Sequence, residues 1–113
     1  MADRPQVRLF ITNTPSRARL EAGGELDLAS VEDLRDHLEL LVESGTGDVD
    51  IDMGLVTFCD SMALTALVLA HRRLEAVGRR LRIVNPSPPV VRLLQLVDLD
   101  TTLLDPPRAP DRV

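Results

Sequence analysis

Three sets of residues have types and spacings that could do chemistry. Asp60-Ser61 puts a carboxylate beside a hydroxyl where an alternating run gives way to apolar residues at helical spacing. A hydroxyl there can serve as a helix cap, or it can accept a phosphate that the helix dipole and free amides tolerate. Asp48, Asp50 and Asp52 recur every second residue and have the residue type of acidic metal ligands. Alternate side chains on one strand face stand about 7 Å apart, too far for several to share one ion, so a polar sheet face is expected and no metal site. Ser61, His71 and Asp60 include the residue types of a hydrolase triad, but they are adjacent or on one helix and cannot form a relay. No catalytic role and no cofactor is assigned, and His71 is read as structural.

Ser61 therefore carries the functional question. As a cap, its hydroxyl would accept from an amide one turn on. As an acceptor, it would gain a charge of about −1.5 to −2 at pH 7. The fold would tolerate that charge at a helix N-terminus. A partner covering Ser61 would not, because an unpaired phosphate is costly to bury. Asp60 would add like-charge repulsion.

The elements that position this pair follow from periodicity. Residues 7–12 and 17–22 read as two strands joined by the turn cluster Asn13-Thr14-Pro15-Ser16, with Gly23-Gly24 releasing the chain from the second. Ser30, with Asp33 three residues on, is placed as the N-cap of a helix whose inner face is Val31, Leu34, Leu38 and Leu41. Gly45 and Gly47 end it. Residues 48–53 alternate as a strand, and residues 61–77 form a helix ending at Gly78. Leu81-Arg82-Ile83-Val84 is a strand broken by Asn85-Pro86. Ser87 and Pro88 begin a short helix through Val97, and residues 101–104 are expected as a last edge strand. The order β-β-α-β-α-β-α-(β) predicts an α/β fold, a mixed sheet of four to five strands with about three helices mainly on one face.

Composition bounds the function. A chain of 113 residues suits one domain, placed at residues 1–105, with a Pro-rich tail at 106–113 expected to be disordered. Net charge −5 and only two aromatic residues disfavour nucleic-acid binding. No run reaches the ~18 apolar residues of a membrane span, and the first residues lack the apolar stretch of a signal peptide. Cys59 stands alone, so no internal disulfide can form. A cytoplasmic protein with no membrane partner is the expectation.

Taken in order, Gly24-Glu25-Leu26-Asp27, Thr57-Phe58-Cys59-Asp60-Ser61, and Gly78 with Leu81-Arg82-Ile83-Val84-Asn85-Pro86-Ser87 resemble the STAS domain of bacterial anti-sigma factor antagonists. The resemblance spans about residues 7–104. It implies a non-enzymatic regulator that binds an anti-sigma factor, usually a GHKL-type serine kinase, and frees the sigma factor for transcription. A PP2C-type phosphatase would reverse the modification. Carried over by position, it implies phosphorylation of Ser61, flanking acidic groups Asp27 and Asp60, and a partner face including Leu26, Leu28, Met62, Ala63 and Thr65. The family motif usually continues with Ser-Gly after the acceptor, where this chain has Met62-Ala63. Two other readings within the family are a soluble STAS subunit of an ABC-type lipid transporter and an unphosphorylated signalling scaffold.

Overall fold

The computed structural model describes residues 7–14, 17–45 and 47–104. Its elements are β1 (Val7–Thr14), β2 (Arg17–Leu26), α1 (Val31–Glu43), β3 (Asp48–Cys59), α2 (Ser61–Glu75), β4 (Leu81–Val84), α3 (Pro88–Leu96) and α4 (Asp100–Leu103). The sheet order is β1-β2-β3-β4. β1 runs antiparallel to β2, while β2, β3 and β4 are parallel, so the sheet is mixed as expected. Parallel neighbours require crossovers, which α1 and α2 supply.

Alternation explains why one face is covered. Leu20, Ala22, Leu26, Val49, Ile51, Met53, Leu81 and Ile83 are buried on the helix side. They meet Leu34, Leu38 and Leu41 of α1, Leu67 and Leu74 of α2, and Val90 and Leu94 of α3 in one aliphatic core. The intervening positions form an open face of ion pairs. Asp50 accepts two bonds from the Arg17 guanidinium at 2.7 and 2.9 Å, and Asp52 pairs with Arg19. Asp48 accepts from the Arg80 backbone N–H at 3.0 Å. The three aspartates thus serve a polar face, and no group of three potential metal ligands occurs among the described residues.

Three expectations change. β2 does not end at Gly23-Gly24 but continues to Leu26, with Gly24 in the left-handed region at φ 86°. β3 likewise runs on past Met53 to Cys59, because two register shifts let it follow β2. Residues 101–104 are not an edge strand. Asp100–Leu103 form α4, closed by Leu103 N–H to Leu99 O at 2.9 Å, and Leu104 after it makes a single backbone bridge to Ile83. Leu103 and Leu104 are consecutive and both buried, which a half-buried strand cannot provide. The helices therefore number four among the described residues. The tail 106–113 and the turn residues Pro15 and Ser16 lie outside the described residues.

Arg79 ties the helix layer together. It is buried, and its guanidinium donates to the carbonyls of Leu41, Val42, Ser44 and Gly47 at 2.8 to 3.2 Å. A cation at the C-terminus of α1 satisfies orphan carbonyls and complements the helix dipole.

Candidate functional site

The parallel β2–β3 pair ends with Leu26 opposite Cys59, and the Asp60 N–H donates to Leu26 O at 3.0 Å. The loop after β2 and the start of α2 therefore emerge side by side at one end of the sheet. Asp60 is the N-cap residue of α2. Its backbone is extended, and its Oδ1 accepts from the Ala63 N–H at 3.0 Å. Ser61 is the first helical residue and is exposed. Of the two roles open to it in the sequence, the cap is filled by its neighbour. Thr65, exposed one turn on, donates its hydroxyl to Ser61 O at 2.8 Å.

The facing loop is fixed by its own polar bonds. Ser30 lies at the N-cap position of α1 but makes no side-chain cap. Its buried Oγ instead donates to Glu25 O at 2.8 Å and accepts from the Asp27 N–H at 3.0 Å. Asp27 Oδ1 accepts from the Ala29 N–H at 3.0 Å. These bonds hold half-buried Asp27 in a tight turn and leave Leu28 outward, 67% exposed. The expected capping box between Ser30 and Asp33 does not form, because the loop uses the Ser30 hydroxyl first.

The expected site residues separate by burial. Leu28, Met62, Thr65 and Ser61 are on the surface, with Asp27 and Asp60 half-buried beside them. Leu26 and Ala63 are both fully buried and cannot touch a partner directly. Leu26 faces the core because it alternates with exposed Glu25. Ala63 faces inward on α2 with Leu67, Ala70 and Leu74. They form the floor under the site.

The sequence reading missed Phe58, which is 49% exposed. Between Gly24–Val56 and Glu25–Phe58, β3 advances two residues while β2 advances one. That bulge turns Phe58 to the outside together with Thr57. Val56-Thr57-Phe58 alternates apolar and polar without interruption, so the residue types carry no signal of that outward turn. Leu28, Phe58 and Met62 give this end of the sheet three exposed apolar side chains.

Two neighbours have no chemical role here. Burial, aided by the Asp60 charge, pushes the Cys59 thiol up to about 12, so it is protonated and a poor nucleophile at neutral pH. His71 is buried ten residues further along α2, about 15 Å of helix from Ser61, and its Nε2 lies 3.3 Å from Glu75. A relay between His71 and Ser61 is geometrically excluded.

Comparison with known proteins agrees with this architecture. The family described as "Mlab, STAS domain" matches residues 9–105. The chain belongs to the STAS domain family. It is 30% identical over 80 residues to an anti-sigma-B factor antagonist of Staphylococcus epidermidis, covering 71% of this chain and 74% of that protein. The solved structure of the unphosphorylated anti-sigma factor antagonist SpoIIAA superposes with a TM-score of 0.74 at 25% identity, covering 85% of each chain. An anti-sigma factor antagonist from Mycobacterium paratuberculosis superposes at 0.78, with 22% identity over 91% of this chain and 89% of that one, a likeness of fold. No helix among the described residues is long and apolar enough to cross a membrane.

Proposed function

We propose that this STAS domain is a non-enzymatic anti-sigma factor antagonist whose binding is switched off by phosphorylation of Ser61. The single observation that carries the switch is that Asp60 caps α2 through Ala63, leaving the exposed Ser61 hydroxyl without a capping duty. Modification then changes the surface and little else. The first turn of α2 tolerates the added charge through its dipole. The names of the similar antagonists support the partner class.

In this reading the partner is an anti-sigma factor with a GHKL-type kinase site, and a PP2C-type phosphatase resets the switch in the cytoplasm. Leu28, Phe58 and Met62 supply the apolar contacts, with Ser61 beside Met62 at the start of α2. Apolar contact with one central polar group suits a switchable interface, since two negative charges introduced there would be desolvated without a partner. Asp27 and Asp60, each held by a backbone N–H, keep the surroundings acidic and strengthen that repulsion.

Phosphopeptide mapping of the protein isolated from its own cells tests the proposal. Phosphate on Ser61, absent from Ser61→Ala, is expected. A protein that stays unmodified while its anti-sigma partner is active would leave the scaffold or transporter-subunit reading in its place.

A further inference from the structure

The two edges of the sheet are built differently. β4 is only four residues long, and Leu104 bridges to Ile83 on its outer side. β1 is eight residues long, and no strand among the described residues pairs with its outer side. Soluble proteins guard long edges with proline, bulges, charges or a covering element. Val7–Thr14 has no proline, no glycine and one charge, Arg8, and it pairs with β2 without a register shift. Among the described residues no strand meets its outer backbone groups, and a second strand would pair with them in kind.

The side chains along this edge are also incomplete. Val7, Leu9 and Ile11 lie at the margin of the core and are only partly buried. Phe10, on the opposite face beside Glu21, is 63% exposed.

We propose that β1 is a dimerisation edge, where two copies of this chain pair their β1 strands antiparallel about a two-fold axis at Phe10. That register sets Phe10 against the partner's Phe10, an aromatic cross-strand pair. Leu9 then meets the partner's Ile11 on the core side, closing the margin that each copy leaves open. Arg8 lies opposite the partner's Thr12, so no like charges are directly opposed. The contact is isologous and closes on itself, as a two-fold dimer requires. Ser61 follows β3, two strands inward, so each copy keeps its own Ser61 surface clear. The dimer would present two such surfaces. The inference is independent of what binds at Ser61.

Analytical ultracentrifugation over a concentration series, with amide hydrogen exchange across residues 7–14, tests it on wild type, Phe10→Tyr and Phe10→Glu. Phe10 is exposed, so neither variant removes core volume. Wild type and Phe10→Tyr should show a monomer–dimer equilibrium, with β1 exchange slowing as concentration rises. Phe10→Glu should raise the dissociation constant by about tenfold or more. A monomer throughout overturns the proposal, as does a dimer indifferent to Phe10→Glu. Concentration-independent protection of β1 would put a segment of the same chain on the edge and also overturn it.

Discussion

The division of labour between Asp60 and Ser61 can be measured as stability. Asp60→Ala removes the carboxylate that accepts from the Ala63 N–H at 3.0 Å and leaves that amide without its cap. Losing an N-cap side chain costs about 1 kcal/mol. For a domain of this size that lowers the melting temperature by about 4 °C. Asp60→Asn keeps a capping oxygen and should stay close to wild type. Ser61→Ala removes an exposed hydroxyl with no capping role and should cost no more than about 0.5 kcal/mol, roughly 2 °C. Circular-dichroism melts of the four proteins at neutral pH give the comparison. A loss in Ser61→Ala as large as that in Asp60→Ala would return the cap to Ser61 and refute the reasoning.

Other perturbations probe the frame around the site. Arg79→Met leaves the Leu41 and Val42 carbonyls of α1, and those of Ser44 and Gly47 beyond it, without this donor and should destabilise by about 3 kcal/mol, read from urea unfolding midpoints. Gly54→Ala drives a Cβ into the Asn85 side-chain amide and should cost about 1–3 kcal/mol, with Asn85→Gly restoring part of it in the double variant. Cys59 should resist alkylation at pH 8 in the native protein and react readily once unfolded. Its native pKa is raised above the unfolded value, so its contribution to stability is intact below about pH 9 and is lost as pH climbs toward about 12, visible as a falling melting temperature. Leu28→Glu should weaken partner binding at least about tenfold, roughly 1.4 kcal/mol, while leaving the melt unchanged, because Leu28 is exposed.

The sequence was most legible where burial follows a simple period. The faces of α1 and α2 and the alternation through residues 48–53 each have one side in the core, so the spacing of apolar residues reveals them. Legibility failed where backbone geometry departs from the period. The two bulges in β3 carry the strand on to Cys59 and turn Leu55 and Phe58 outward, which no two-residue alternation predicts. Gly23-Gly24 resembled an exit, yet the neighbouring strand keeps that stretch paired, and Gly23 faces Leu55 at close range. At residues 100–104, two adjacent buried leucines suit a helical turn, although Thr101 and Thr102 favour strand locally.

At the candidate site, residue types pointed to the start of α2 but did not separate the structural roles of Asp60 and Ser61. Asp60-Ser61 marked the start of α2, and both residues are plausible caps by type. Only the backbone shows that Asp60 is extended and Ser61 already helical. Ser30 stands at the N-cap position of α1 as expected, but its hydroxyl does not cap the helix, because the preceding loop offers it nearer partners, Glu25 O and the Asp27 N–H. Leu26 and Ala63, read as part of a partner face, have their side chains buried in the core.

The most direct test of the central claim is a pull-down from the source cells with wild-type and Ser61→Asp baits, with captured proteins identified by mass spectrometry. An anti-sigma factor with an ATP site, held by wild type and lost by Ser61→Asp, is the expected catch. An ABC-type ATPase held equally by both baits would contradict the claim.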